Sequence, residues 1–421
     1  MRIGIDTQSI IDKKTGLFFN RDPEEAAKII EKLLLDNNLR EELTKNGLSQ
    51  VKKWNIKESI YNLRKRNQMR ISFVVNTVGL TGGIKVIFEY AKRLSKKGHQ
   101  IFIIHPCNLE KGFFWSLLKW LKYKFLAILG KTGAEWFNLP REVKILHPFS
   151  LHSSSISDAD IIVATANETA EEVFKLPKRK GEKFYFIQGY EIWTREKEKV
   201  EATYKLPLKK IVIASWLKKL IEERFNQRVY GVLTNGVNFD QFYPVNKKIN
   251  PNKRILMVYH LLKKKGIDDG IKAYKIVKKI HPEVQLVMIS AYPKGDNVPS
   301  GTEFYFQPPQ EKLKEIYSSC DIFLSPSWQE GCQLPPMEAM ACQTAVVATN
   351  VGGIPDYTIP GETALVVPPK RPDLLAEKIL ELLEDENKLK KVALSGYKYI
   401  KQFTWEKAVE KLERIFQDEV S

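Results

Sequence analysis

The sequence predicts an α/β fold of two doubly wound, Rossmann-like units, with an additional partial α/β repeat in front. Three observations predict it. Apolar runs of four to seven residues alternate with amphipathic helical stretches from residue 71 to the end. Such alternation is the pattern of parallel sheets covered by helices on both faces. The strands are too many for one typical domain of ~100–200 residues. The third observation is a self-match between residues 15–68 and 363–417.

The repeat comes first in the chain. From Pro23 and Pro372 onward the two segments align without a gap at an offset of 349. Pro23, Ala27, Ile30, Leu33, Leu34, Asp36, Asn38, Gly47 and Leu63 meet identical residues, and Trp54 meets Phe403. Each copy reads as a short strand, a proline-started helix, a second helix and a terminal helix. Matching proline, glycine and aromatic positions favour common origin over a likeness of composition. Residues 1–70 are therefore expected to be a partial duplicate of the C-terminal element.

The strands follow in order: ISFVV (71–75), the run after Gly98, IIVAT (161–165), FYFIQ (184–188), IVIAS (211–215), ILMVY (255–259), VQLVMIS (284–290), DIFLSPS (321–327) and AVVAT (345–349). The polar stretch PVNKKINPN at 244–252 divides them, since a domain boundary favours polar and proline-rich chain. The expected domains are 71–245 and 246–421, with the last helix packing back on the first.

Composition narrows the function. Hydrophobic residues make up 43% and charged residues 28% of the chain, which excludes a mainly disordered protein. No run of ~18 uncharged apolar residues occurs, against a membrane-spanning helix, and residues 1–16 lack the apolar core of a signal peptide. The four cysteines, Cys107, Cys320, Cys332 and Cys342, form no CxxC pair; this argues against a disulfide framework or structural zinc and suits a reducing cytosol. A net charge of +17 points to an anionic partner: a membrane surface, a nucleic acid or a phosphate-bearing substrate.

The most informative stretch is 325–353. A strand ends near Ser325, a glycine-containing turn follows, and a helix starts near Pro335 and Pro336, where proline's missing N–H costs nothing. Glu330 lies in the turn and Glu338 on the helix, so both can face a crevice at the strands' carboxyl ends. The N–H groups of 331–334 could cradle a diphosphate. A carboxylate such as Glu338 suits two ribose hydroxyls.

EGCQLPPMEAMACQTAVVAT resembles the E-x7-E signature of the GT-B glycosyltransferases, specifically the large retaining family 4. Four further segments continue the likeness: NGVNFDQFYP (235–244) is similar to the family's interdomain element, YHLLKKKGIDDGIKAY (259–274) to its phosphate loop, FYFQPPQEKLKEIYSSCDIFLSPS (304–327) to its base-binding loop, helix and strand, and GETALVVPPKRPDLLAEKI with the terminal helices to its closing element. The resemblance covers 71–421 and implies a retaining transferase. Lys265 would bind the donor diphosphate, Glu330 the sugar and Glu338 the ribose. Asn235 and Gly236 would sit between the domains. Gly331, Cys332, Gln333 and Leu334 would line the donor turn. His260 stands where the family usually has Arg; a neutral His donates one hydrogen bond and lacks the fixed charge. Cys332 and Gln333 replace the usual Phe and Gly. Gln333 can bond a sugar hydroxyl but restricts torsions that glycine would permit.

In the first domain, Gly82 and Gly83 sit just before a helix, a position that lets backbone approach a phosphate; in the family this loop abuts the donor. Gln188 and Glu191 follow a strand near the position of the family's catalytic-site His. Gln188 is expected to orient donor or acceptor, and Glu191 to accept a hydroxyl proton. The family's transfer proceeds on one face of the sugar with the leaving phosphate aiding deprotonation, so a missing His does not exclude activity. No cofactor is expected, and no metal. Asp158-Ala159-Asp160 spells DxD but precedes its strand, where it suits capping rather than cation binding. His147 and His152 have no evident third ligand.

Residues 113–129 carry an apolar helical face of Phe114, Leu117, Leu118, Leu121, Phe125, Ile128 and Leu129, flanked by Trp115 and Trp120, with Lys119 and Lys122 opposite. That pattern fits a helix lying in a membrane interface; a core-packed helix carries a similar stripe.

The expected function is transfer of a hexose or deoxyhexose from a nucleoside diphosphate sugar to a glycan or lipid-linked acceptor in surface polysaccharide or glycolipid synthesis. The GGIKVIFEYAKRL element and the QEGC turn are similar to a subset that includes rhamnosyltransferases. The expected location is cytoplasmic, peripheral at the inner face of the cell membrane. A nucleotide-sugar epimerase on the same fold is the alternative, and a basic nucleic-acid binder a weaker one: the basic residues are spread among acids with no nucleic-acid module, so no nucleic-acid partner is expected.

Overall fold

The structure is a computed structural model and describes residues 31–53, 68–109, 112–246 and 252–420. The chain divides into two units, Met1–Gln68 and Met69–Ser421.

In the first unit, residues 31–35 are helical and α1 runs Asn37–Lys53. Asp36 caps α1: its Oδ1 accepts from the Leu39 N–H at 2.9 Å. The matching residue of the C-terminal copy, Asp385, caps its helix in the same way, accepting from the Lys388 N–H at 2.9 Å. Leu43 is buried and so is its counterpart Val392. The two copies thus share a helix start, a cap and a buried position, as well as residue identities. Leu33 is partly buried, while Leu34 is exposed. Pro23, Ala27, Ile30, Trp54 and Leu63 lie outside the described residues.

The second unit holds two parallel sheets. The first is ordered β3-β2-β1-β4-β5-β6-β7, from β1 (Arg70–Val74), β2 (Gln100–Ile104), β3 (Lys144–Leu146), β4 (Ile161–Ala164), β5 (Glu182–Ile187), β6 (Lys209–Val212) and β7 (Val229–Val232). The second is ordered β10-β9-β8-β11-β12-β13, from β8 (Arg254–Tyr259), β9 (Gln285–Ser290), β10 (Glu303–Phe306), β11 (Ile322–Ser325), β12 (Ala345–Thr349) and β13 (Leu365–Val367). All nine strands expected from apolar runs are present. The four outside that set are all edge strands: β3, β7 and β10 have half-exposed faces, and β13 is the short strand that the C-terminal copy of the repeat begins with; an edge strand lacks the two-sided burial that writes a continuous apolar signal.

The helices of the first domain are α2 (Gly82–Lys96), α3 (Phe113–Ile128), α4 (Asn167–Lys175), α5 (Lys197–Tyr204) and α6 (Ser215–Lys219). Those that follow are α7 (Ile267–Ile280), α8 (Leu313–Ser318), α9 (Leu334–Ala341), α10 (Ile354–Tyr357), α11 (Pro372–Glu384), α12 (Glu386–Ile400) and α13 (Trp405–Val420). Gly82 and Gly83 open α2 instead of preceding it: Thr81 is the cap, accepting from the Ile84 N–H. Pro335 and Pro336 lie in the first turn of α9.

The last helix returns to the first sheet. Trp405, Val409, Leu412 and Phe416 are buried, spaced so that one stripe faces inward. Phe416 meets Phe184 edge-on at 4.9 Å, and Trp405 meets Tyr90 at 5.5 Å. Glu413 pairs with His99 at 2.8 Å, and Glu419 with Lys209 at 2.6 Å. One apolar cluster runs from β1 through this helix to Met337 and Met340 of α9.

Helix α3 is turned outward. Only Ser116 of its residues is buried, and Phe113, Phe114, Trp115, Leu118, Leu121, Phe125 and Ile128 are exposed. Its inner side rests on Trp120, against Phe149, and on Tyr123, stacked on His147 at 4.0 Å. The apolar stripe is therefore not a core stripe. Trp120 belongs to the packed side, so Trp115 alone of the two tryptophans is on the free face. Among the described residues no helix is long and apolar enough to cross a membrane.

Candidate functional site between the two sheets

The carboxyl ends of β5, β8, β11 and β12 meet across a crevice between the sheets. The turn after β11 is pressed against the end of β5. A Cβ on Gly331 would lie 1.9 Å from the Gln188 carbonyl oxygen, so only glycine fits. Trp216 Nε1 donates to the Gly331 carbonyl at 3.0 Å, and Ser215 N–H donates to Asp356 at 2.8 Å. Asn235 Nδ2 donates to the Cys332 carbonyl at 3.1 Å, while Val237 N–H bonds the Phe403 carbonyl at 2.9 Å. Asn235 and Gly236 thus lie where the turn after β11 meets the junction before α13.

The two acids of the E-x7-E segment are each held by a lysine. Lys265 Nζ donates to both Glu330 oxygens, at 2.7 and 2.9 Å, and Ser327 Oγ donates to Oε1 at 2.8 Å. Lys265 closes the turn after β8. Gly266, next to it, has φ +63° and packs on the Pro326 carbonyl, a conformation open to glycine at no cost. Glu338, buried on α9, pairs through Oε1 with Lys85 Nζ at 3.0 Å and through Oε2 with Tyr317 OH at 3.1 Å. Lys85 comes from α2 of the other domain.

His260 follows β8. Its Nδ1 accepts from the Leu262 N–H at 3.0 Å. Burial and the nearby Lys265 charge lower its pKa to about 4, so the ring is neutral near pH 7. Lys264 is half-buried over the Trp193 ring, and burial lowers its pKa to about 8.

The turn after β11 bears on the two residues that replace the usual Phe and Gly. Gln333 has φ −71°, a torsion any residue adopts, so no glycine is needed there. Its Oε1 is engaged by the Ser325 hydroxyl at 2.6 Å, leaving Nε2 buried and without a hydrogen-bond partner. The Cys332 thiol is buried and pushed up to about 12, so it is not a nucleophile near neutrality. Leu334, half-buried, starts α9 and packs on the core.

In the first domain, the Gln188 amide lies beside Gly83, and its Oε1 is buried and unpartnered. Two orphaned amide atoms, on Gln188 and Gln333, mark polar groups that a bound molecule would satisfy. Glu191 takes a hydrogen bond from Asn167 Nδ2 at 3.3 Å. Burial raises its pKa to about 7. Gln188 and Glu191 are brought to the same rim as Gly82 and Gly83.

The remaining candidates lie elsewhere. Asp160 accepts from the Arg70 N–H at 2.6 Å, and Asp158 pairs with Lys180 at 2.8 Å. His147 bonds His105 at 3.0 Å, and His152 is exposed. Among the described residues no three His, Cys, Asp or Glu side chains are grouped as a metal site. A cavity of about 640 Å³ is lined by Phe304, Phe306 and Lys312 of the segment compared with a base-binding loop. It also takes in Arg254 and Ser319, at the amino ends of β8 and β11, so it runs away from the crevice.

Sequence reasoning missed Lys85, Lys264 and Tyr317. Lys85 had a usable signal: it lies one turn into the helix that Gly82 and Gly83 start, on the end that faces the crevice.

Residues 239–399 match the family model Glycosyl transferases group 1. The chain is 26% identical over 217 residues to an uncharacterized glycosyltransferase of Methanocaldococcus jannaschii, covering 49% of this chain and 59% of that one. It is 27% identical over 194 residues to the capsular polysaccharide biosynthesis glycosyltransferase CapM of Staphylococcus aureus, covering 41% and 51%. The chain therefore spans about half the length of these curated relatives. The crystal structure of Anabaena HepE in complex with UDP-glucose superposes with TM-score 0.63 at 16% identity, over 83% of this chain and 100% of that one. Residues 239–399 are thus similar to the glycosyl transferases of group 1, and the second unit has the GT-B fold.

Proposed function

We propose that the protein transfers a hexose or deoxyhexose, with retention, from a nucleoside diphosphate sugar to a glycan or lipid-linked acceptor. One observation carries the reading: Glu330, Lys265 and Glu338 converge at the carboxyl ends of the second sheet, opposite Gly82, Gly83 and Gln188 of the first. A crevice at that position is where doubly wound sheets bind nucleotides. HepE was solved with UDP-glucose, and CapM is named for capsular polysaccharide biosynthesis; both names support this donor and acceptor class.

In this reading Lys265, with Lys264 and the N–H groups at the start of α9, takes the diphosphate charge, and no metal is needed. Glu338 accepts the ribose hydroxyls and Glu330 a sugar hydroxyl. The leaving phosphate stays on the face where the acceptor enters, which is what retention requires. Gln188 orients the sugar, and Glu191, poised near neutrality, receives the acceptor proton. A general base works best with a pKa near the working pH.

The outward face of α3 extends the proposal to a membrane surface. Its exposed aromatic and aliphatic side chains sit beside Lys122 and Lys124, the composition of an interfacial helix. A lipid-linked acceptor would meet the protein there, at the inner face of the cell membrane.

The test is release of nucleoside diphosphate from a panel of nucleotide sugars, with EDTA present, with and without lipid-linked acceptors. Anomeric configuration of the product is read by NMR. Acceptor-dependent release with retention supports the reading. Product formed without acceptor would indicate epimerisation, and no release by folded protein would overturn the proposal.

A further inference from the structure

Glu338 is fixed by two groups from two domains. Lys85 Nζ lies 3.0 Å from Oε1, and Tyr317 OH lies 3.1 Å from Oε2. The Lys85 ammonium also sits over the Phe242 ring, 5.4 Å from its centroid, and Phe242 meets Tyr317 edge-on at 5.8 Å. Lys85, Phe242, Tyr317 and Glu338 therefore form one closed cluster. Glu338 and Tyr317 are buried within it. Three members belong to the second sheet's side or the interdomain segment; Lys85 alone is carried by α2 of the first domain.

The chemistry of the cluster is specific. An ionised carboxylate has about four lone-pair sites, two on each oxygen. Lys85 and Tyr317 occupy one on each oxygen and fix the plane of the group. One acceptor site on each oxygen is left, side by side, a match for two vicinal hydroxyls.

We infer that Lys85 is a positioning residue for the donor's ribose: it orients Glu338 from across the crevice, so that the carboxylate meets the 2′- and 3′-hydroxyls. The inference rests on the proposed donor class and adds to it a selectivity between ribose and 2′-deoxyribose that depends on the first domain. A hydroxyl read by a buried, oriented acceptor discriminates strongly, because the analogue lacking it leaves the acceptor unpaired.

The experiment uses the full chain and six probes by calorimetry: UDP, GDP and ADP, each with its 2′-deoxy counterpart. Wild type is expected to bind one ribonucleotide at least about tenfold more tightly than its deoxy form. Lys85→Met should weaken that ribonucleotide by about tenfold and change the deoxy form less than about twofold, so the preference collapses. Lys85→Arg should keep the preference, since a cation remains. Tyr317→Phe, which leaves Lys85 in place and removes the other hydrogen bond, should also reduce it. Equal weakening of ribo and deoxy forms by Lys85→Met would mean that the lysine acts on the phosphates, and overturns the inference. An unchanged preference overturns it as well, while leaving the donor class standing. Failure of wild type to bind any of the six overturns both.

Discussion

The outward face of α3 makes a prediction whose size follows from its exposure. Phe114, Phe125 and Ile128 are 64%, 61% and 82% exposed. Fully burying such a side chain is worth ~1.5–3 kcal/mol. Scaled by exposed fraction, insertion into a lipid interface should gain about 1–2 kcal/mol per residue, or about 3–6 kcal/mol for the three. At ~1.4 kcal/mol per decade, replacing all three by Ser should lower vesicle partitioning by roughly two to four decades. Lys122 and Lys124 should each add about 1 kcal/mol on anionic lipid, a share that salt removes. The assay is co-sedimentation with phosphatidylglycerol–phosphatidylcholine vesicles at low and high salt, with thermal melting as a control. The melting temperature should hold, because the substituted side chains are exposed. Equal partitioning of the triple variant and wild type would refute the reasoning, as would a wild type that ignores anionic vesicles.

Three further outcomes are expected. Transfer rate should rise with pH through about 7 as Glu191 ionises and fall above about 8 as Lys264 loses its charge. Glu191→Gln should remove the acid limb and keep the alkaline one; a pH–rate profile of both proteins decides this. Gly331→Ala should cut turnover at least about tenfold, because the added carbon overlaps the Gln188 carbonyl and overpacking of this kind costs about 1–3 kcal/mol; circular dichroism should report intact secondary structure. A chain that begins at Gln68 should fold and keep its activity, since Met69 is held inside the second unit by its N–H to His99 Nδ1 at 3.1 Å; aggregation of that shorter chain would assign residues 1–67 a structural task.

Much of the architecture was legible because doubly wound sheets write a strong signal. Interior strands such as β1, β4 and β8 are buried on both faces and read as unbroken apolar runs. Edge strands such as β7, with its half-exposed VYGV, carry no such mark. The position of the crevice was legible from Glu330, Glu338 and the glycine turn between them. Their partners were not. The Lys85–Glu338 pair joins residues 253 apart, and only the tertiary fold brings them together. The helix 113–129 was ambiguous in sequence because an apolar stripe serves a core or an interface equally well; its orientation is decided by Tyr123 and Trp120, which anchor the opposite side. At Gln333 the sequence did not show that the torsion needs no glycine or that Ser325 takes up Oε1 and leaves Nε2 without a partner.

The most direct test of the account is a calorimetric titration of wild type and Glu338→Ala with the nucleoside diphosphate that the donor panel selects. The variant loses the carboxylate that would accept the ribose hydroxyls. Binding at least about tenfold weaker, with the fold retained, is the predicted result, as hydrogen bonds to a charged group are worth ~1.5–3 kcal/mol. Equal affinity in the two proteins would contradict the assignment of this crevice as the donor site.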